Sequence, residues 1–473
     1  MSPSETSSIF KPVIVGSGPA GIRAAQTLVR HGIRPTVIDE SATWGGQIYR
    51  QQPAHFKRSK KELYGFETSR ANSVHRAMAD ILPKIDYQPD TLVWNAQDQM
   101  LDTLHRSSTS VTSYTHLIVA TGATDRILPF AGWTLPGVYS LGAAQIALKA
   151  QGCAIGERVV FMGTGPLLYL VAYQYAKAGA NVVAVLDTAT NLDRLAAIPK
   201  MMTQPMLVLK GIYYTAWLRK HGVQLHLGIK SAKAHGPDRV TSIEWQDIHG
   251  QLHNLKCDAI GFGYALRSET QLADLLGCRF AYDPVQRAHL PVRDDCGRSS
   301  VQNVYLAGDG AGIMGADAAE MAGELAALTL IADAHPEYVQ NSDQNRIHEL
   351  QGKLKRIQTF RHGLERAFPF PENWAKQATN DLIICRCEEI TAGDIRKAVQ
   401  GGATEMNRVK ALTRVGMGRC QSRMCAVAAA EIIADCSGID ISEVGRLRGQ
   451  PPIKPIPFVT EPESSFGLPK EAQ

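Results

Sequence analysis

Thirteen residues near the start, Val13-Ile-Val-Gly-Ser-Gly-Pro-Ala-Gly-Ile-Arg-Ala-Ala25, constrain this chain more than any other stretch. The β-branched run Val13 to Val15 predicts a buried parallel strand. It stops at Gly16-x-Gly18-x-x-Gly21 and passes into an Ala-rich helix. In such a unit the first glycine permits the tight turn, the second lets backbone approach a pyrophosphate, and the third lets helix and strand lie close. The helix start then offers unpaired N–H groups and a positive dipole end. Gly16, Ser17, Gly18, Pro19, Ala20 and Gly21 are therefore candidates to hold a nucleotide. A glycine triplet is weak evidence in a chain with 41 glycines. The stronger sign is a second strand, Pro35-Thr-Val-Ile-Asp39-Glu40, which ends in carboxylates about 20 residues on, where a ribose hydroxyl is expected. A bare structural turn is the alternative.

The pattern then repeats. Arg158-Val-Val-Phe-Met-Gly163-Thr-Gly165 and Asn181 to Asp187 form a second strand, glycine turn, helix and strand ending in an acid. The repeat predicts an α/β protein with two Rossmann-like dinucleotide-binding domains, the second inserted into the first. In the copy Leu168 replaces the third glycine, so its helix should stand further from the strand. NAD(P) or ATP at Gly163 and Gly165, or a purely structural fold, both stay open.

Between and after the repeats, strands end in small residues. Trp44-Gly45-Gly46-Gln47 could pass close to a flat ring; His116 to Val119 ends in Thr121-Gly122; Asn303 to Leu306 ends in Gly308-Asp309. Asp309 could accept from a ribityl hydroxyl or from backbone N–H groups beside a pyrophosphate. The segments expected are 1–125 with 290–335 for the first domain and 126–289 for the second. A helical linker arm follows at 336–378, then a small unit at 379–440 and a Pro-rich strap or loose tail at 441–473.

At 473 residues several domains are expected. The net charge of +5 is spread along the chain, with no basic and aromatic interleaving, which gives no support for nucleic-acid binding. The opening residues lack an export-signal pattern, and no apolar run of 18 residues predicts a membrane span. The expectation is a cytoplasmic protein, with peripheral attachment to the inner face of the membrane left open.

Nine cysteines are present, four of them near the C-terminus. Cys385-Arg-Cys387 and Cys420-Gln-Ser-Arg-Met-Cys425 lie 32 residues apart. Four thiolates are what a [2Fe–2S] cluster needs, two per iron. Structural zinc and disulfides compete, but a C-x-C pair fits zinc less well, and a reducing compartment disfavours disulfides. The small unit is expected to be helical, with helices over 391–400 and 426–434 aimed at the cluster. Arg386, Arg414, Arg419 and Arg423 either help hold its charge or are solvated surface. Cys153, Cys257, Cys278, Cys296 and Cys436 are expected to be buried small apolar residues. The sequence contains no C-x-x-C, which argues against a disulfide reductase.

These motifs together carry a resemblance. Residues 11 to about 330 resemble the flavoprotein family of glutathione and thioredoxin reductases, through Gly16 to Gly21, Asp39, Gly45-Gly46-Gln47, Ala120-Thr-Gly122 and Ala307-Gly-Asp309. Residues 380 to about 440 resemble the bacterioferritin-associated-ferredoxin type of [2Fe–2S] domain, departing from it at Cys420-x4-Cys425. With Phe130-Ala-Gly-Trp-Thr-Leu-Pro-Gly137, the combination resembles the α (A) subunits of heteromeric amine dehydrogenases: opine oxidases, dye-linked proline and D-hydroxyproline dehydrogenases, and cyanide-forming glycine dehydrogenase.

The resemblance implies FAD, a [2Fe–2S] cluster, and FMN at a subunit interface. It also implies a β subunit that carries its own FAD and the substrate site. Further implied partners are a quinone or other acceptor and a small third subunit. No residue stands out as a base for C–H oxidation, and the scattered histidines read as structural. An NAD(P)H-dependent reductase and a non-catalytic nucleotide-binding scaffold are the rival readings.

Overall fold

The computed structural model describes residues 10–53, 55–56, 58–371, 373–457 and 461–462. The opening segment, where an export signal was sought, and residues 463–473 of the Pro-rich end lie outside these described residues.

Val13, Ile14 and Val15 are buried, as a strand covered on both faces requires. Strand Pro12–Val15 sits at the centre of a parallel five-stranded sheet, ordered Val304–Leu306, His116–Val119, Pro12–Val15, Thr36–Ile38, Asp86–Gln88. Residues from both ends of the first 310 therefore share one sheet. The second sheet is ordered Gln224–Leu227, Asn181–Asp187, Arg158–Thr164, Ala259–Tyr264, Val138–Ser140, also parallel, and lies wholly within the intervening sequence. In both sheets the chain order reverses beside the strand that leads into the glycine turn, which is where such sheets bind ligands.

Helix Pro19–Arg30 crosses helix Ala316–Ala334 so closely that a Cβ on Gly323 would lie 1.9 Å from the Ala20 carbonyl oxygen. The segment read as a linker arm holds a 27-residue helix, Asn341–Ala367. It packs along Ala316–Ala334 through Arg346, which donates to both Glu324 oxygens at 2.9 and 2.8 Å.

The small C-terminal unit is helical, as expected. Helix Ala392–Gln400 is capped by a Thr391–Asp394 capping box and stops at Gly401, while helix Ala426–Ser437 starts at Cys425. One hydrophobic core runs from the inserted domain, through Phe130, Trp133 and Phe262, into the C-terminal unit at Ile384, Ile395 and Ile432. Trp133 donates from Nε1 to the Ile383 carbonyl at 2.7 Å, and Trp374 likewise to Pro129 at 2.9 Å. The Phe130-to-Gly137 motif is thus the seat on which the C-terminal unit docks. The described part of the Pro-rich end runs across the first domain, with Ile453 buried and its N–H donating to Trp94 at 3.1 Å.

All nine cysteines are free. Cys257 and Cys278 are buried, as expected, but Cys153 and Cys436 are exposed and Cys296 is half-buried. The expectation was wrong for these three: Cys153 follows the end of a helix, Cys436 lies in the last turn of one and Cys296 in a surface turn, where packing does not reach.

Candidate functional site

Gly16 sits at φ 109, and a Cβ there would lie 2.3 Å from the Ala120 carbonyl oxygen. It is held by the fold itself. Gly18 differs: its φ is −77, and the nearest atom to a Cβ would be Gly46 Cα at 3.7 Å. Nothing in the protein demands a glycine there, so the space in front of it is open to a ligand. Gly18 also begins helix Pro19–Arg30 without a side-chain cap, leaving the first N–H groups of the helix unclaimed by a side chain. Gly46, at φ 64, backs directly onto Gly18. Two backbones and a helix start thus meet at one place.

Asp39 leaves strand Thr36–Ile38 and accepts from Ser17 N at 2.5 Å, Ser17 Oγ at 2.9 Å and Ser41 N at 2.7 Å. Its carboxylate therefore fixes the glycine turn. Glu40 is exposed and pairs with Lys454 of the C-terminal strap. Gln47 is exposed and accepts from Arg50 at 2.9 Å. Thr121 donates to the Glu269 carbonyl at 2.7 Å, and Gly122 beside it has no atom within 4 Å of a Cβ position. Asp309 accepts from Met314 N at 2.8 Å and Gly315 N at 3.0 Å through one oxygen, leaving Oδ2 without a partner among the described residues. Burial pushes its carboxyl up, against those N–H groups and Arg361 and Arg293.

Beneath the Gly45-Gly46 loop lies a residue that no sequence motif marks. Lys149 is 2% exposed, donates to the Ile48 carbonyl at 3.0 Å, and is pushed down to about 7 by burial and then by Arg50. A lysine whose folded value lies below its unfolded one destabilises while it stays charged, and that cost fades as pH rises from about 7 towards 10.5. Lys149→Met should raise the melting temperature at and below pH 7, by a gain of a few kcal/mol in order of magnitude. The gain should shrink steadily towards pH 10. Melting curves across that range check it, and a pH-independent gain would show that the ammonium is solvated.

In the second fold a Cβ on Gly163 would lie 1.8 Å from the Gly263 carbonyl oxygen, so this glycine serves the pairing of two parallel strands. Gly165 starts helix Pro166–Lys177 without a side-chain cap, as Gly18 does in the first. The acid ending the next strand is used internally. Asp187 is fully buried and accepts from Tyr169 at 2.7 Å, Arg194 at 2.7 Å and Ala189 N at 2.9 Å. Burial raises Asp187 despite Arg194, whose guanidinium lies over the rings of Tyr169 at 5.1 Å and Phe368 at 5.4 Å.

The four C-terminal cysteines come together from strand Ile383–Cys385, its following turn, and the loop before helix Ala426–Ser437. Cys385 is pushed down to about 6, first by a hydrogen bond from Cys425 and then, against burial, by the N–H groups of Gly416, Glu388 and Cys387. Cys425 is raised by its bond with Cys385 and by burial; Cys420 is raised by burial and touches Cys387. The sulfurs that meet are thus paired across the two motifs. Among the described residues no three donors gather around a single metal ion. A cluster of two irons, each held by two thiolates, does not need them to. Gly418 completes the cradle: a Cβ there would lie 2.1 Å from Cys387 Cβ. Backbone N–H groups aimed at a sulfur fit a negatively charged cluster.

Of the four arginines near the cysteines, Arg386, Arg414 and Arg419 are exposed. Arg423 turns inward and grips Glu269 with two bonds of 2.7 and 3.1 Å, also donating to Cys420 O at 3.3 Å and Ile453 O at 2.7 Å. Burial opposes the charge on Glu269, but Arg423 outweighs it and holds the carboxyl below its usual range. Since Glu269 O accepts from Thr121 and Glu269 N donates to Gly122 O at 3.0 Å, one residue joins the Thr121-Gly122 turn to the cysteine loop. Burial pushes Arg267, next but one to Glu269, down, against the charge of Glu269 and then of Cys425 and Cys420. Neither Glu269 nor Arg267 carries a motif that sequence reading could have used.

Residues 10–323 match the family described as pyridine nucleotide-disulphide oxidoreductase. The chain belongs to that family. In this oxidoreductase, residues 383–435 further match the BFD-like [2Fe-2S] binding domain. It is 33% identical to the A subunit of opine oxidase from Agrobacterium tumefaciens (strain Ach5), over 96% of this chain and 91% of that one. It is also 33% identical to the HcnB subunit of hydrogen cyanide synthase from Pseudomonas aeruginosa, over 95% of this chain and 97% of that one. Its fold is that of L-proline dehydrogenase from P. horikoshii, with a TM-score of 0.69 at 18% identity, covering 95% and 78% of the two chains.

Proposed function

We propose that this chain is the electron-transferring flavin and iron–sulfur subunit of a heteromeric dehydrogenase acting on an amino acid or secondary amine. The observation that carries the reading is the nearly end-to-end likeness to single subunits of opine oxidase and of hydrogen cyanide synthase. It is joined in one chain by a dinucleotide cradle and a paired set of four thiols. The partners are a β subunit with its own FAD and the substrate site, a quinone or other acceptor, and a small third subunit, with FMN between subunits.

A flavin, when bound, supplies hydride and single-electron chemistry, and an iron–sulfur cluster single-electron chemistry. The chain's residues bind and orient them. Gly18, Gly46 and the uncapped start of helix Pro19–Arg30 would take the pyrophosphate, Asp39 a ribose, Asp309 the ribityl side, and Cys385, Cys387, Cys420 and Cys425 the cluster. Glu269 and Arg423 keep the two sites in fixed register. The absence of C-x-x-C from the sequence supports relay over disulfide reduction.

The enclosed Asp187 disfavours nicotinamide dinucleotide in the second fold, because it is fully buried and paired with Arg194, whereas Asp39 is only half-buried. Anaerobic purification from the native source should yield a complex whose co-eluting chains include a second flavoprotein. The isolated chain should be reduced by NADH at a negligible rate; rapid bleaching by NADH would overturn the reading in favour of a self-sufficient reductase.

A further inference from the structure

Strand Leu266–Ser268 pairs antiparallel with Ala123–Asp125, and these two short segments lie where the chain passes between the two large sheets. In the middle of the first stands Arg267, half-buried, with Nη1 3.5 Å from the Arg423 carbonyl oxygen. Arg423 lies between Cys420 and Cys425, so the guanidinium is set against the loop that supplies two of the four thiols. Arg267 also lines one cavity with Gln421, Ser422 and Ala426, the residues that flank those two cysteines.

A cation drawn out of water is costly unless an opposite charge stands near it. The carboxylates around Arg267 are already taken by other arginines, each through both oxygens. Arg423 grips Glu269, Arg446 holds Asp274 at 2.6 and 2.7 Å, and Arg287 holds Glu431 at 2.7 and 2.9 Å. Among the described residues no carboxylate stands at ion-pair distance from Arg267. Glu269 attracts it and Arg423 repels it, and the further favourable charges are the sulfurs of Cys425 and Cys420. The arginines adjacent to the cysteines in sequence are placed differently. Arg386, Arg414 and Arg419 are exposed, where solvent screens them, and Arg423 is neutralised by Glu269.

We infer that Arg267 is the counter-charge of the iron–sulfur cluster and raises its reduction potential, an inference that rests on the cluster proposed above. A cluster held by four thiolates is anionic when oxidised, and the electron it accepts adds a further negative charge. A fixed cation beside it therefore stabilises the reduced form more than the oxidised one. The cation comes from outside the small C-terminal unit, so the potential depends on how that unit is seated. The effect favours electron flow from flavin to cluster.

The test is an anaerobic redox titration of the full-length protein, followed by electron paramagnetic resonance of the reduced cluster, with iron and flavin quantified in every sample. Arg267→Met should lower the cluster's reduction equilibrium constant by about tenfold, a fall of about 59 mV for one electron. Arg267→Lys keeps the charge and should recover most of that fall. Arg419→Met removes an exposed cation beside Cys420 and should shift the potential far less at high salt, where exposed charges are screened. An unchanged potential in Arg267→Met overturns the inference, because the guanidinium then only holds the Arg423 carbonyl in place. So does an equal fall in Arg267→Lys or in Arg419→Met. If the methionine variant assembles no cluster, Arg267→Gln replaces it, and a lysine variant with a potential no higher than the glutamine one overturns the inference equally. Wild type without iron is a separate result, since it rejects the cluster and the functional reading along with the role of Arg267.

Discussion

Cys385→Ala should yield a protein without iron or acid-labile sulfide that still carries its flavin. Each iron of a two-iron cluster needs both of its thiolates. Cys385 is buried and receives the N–H groups of Gly416, Glu388 and Cys387, so no water can replace it with the same charge. The flavin should persist because the cradle around Gly18 and Gly46 lies in the first sheet's core, separate from the one that holds Cys385. The half-buried Cys387→Ser should lose iron equally and guards against misfolding of the first variant. Metal and flavin analysis of the same sample decides: a full complement of iron in either variant rejects the ligand set, and stoichiometric zinc in the wild type rejects the cluster.

The second large effect separates two neighbouring glycines. Gly18→Val should fold and lose its flavin, with flavin occupancy falling by an order of magnitude or more. Its backbone is in an ordinary conformation, and its Cβ would touch only Gly46 at 3.7 Å, so the new side chain invades the ligand's space and no other. Gly16→Ala should fail earlier. There the φ of 109 and a Cβ 2.3 Å from Ala120 O force the strand apart, and soluble protein should be scarce with or without added FAD. Circular dichroism and bound-flavin absorbance on both variants test the contrast. A Gly18→Val protein with full flavin would remove the assignment of this turn.

The two cofactor cradles were legible because their signals are short. A glycine turn after a β-branched strand, an acid closing the next strand and closely spaced cysteines each lie within a few residues, so covalent spacing alone constrains their geometry. Glu269 and Arg267 were not legible: their role comes from meeting Arg423, more than 140 positions away. Cys153, Cys296 and Cys436 mark a different limit, since a lone small residue carries no periodicity that would say whether it faces core or water.

What the amino-acid order determined by itself is the pair of Rossmann units, the insertion of one in the other, and the residue types offered to each cofactor. Backbone turns and side-chain alternation are local, and they survive whatever the rest of the chain does. Tertiary structure alone decided that Asp187 is enclosed where Asp39 is reachable, although both close a strand beside a glycine turn. It also decided that Leu192, Leu195, Ile198, Met206, Leu209 and Ile212 stand exposed. Burial is a property of the neighbours that folding brings: Tyr169 and Arg194 close over Asp187, while Asp39 is left half-buried.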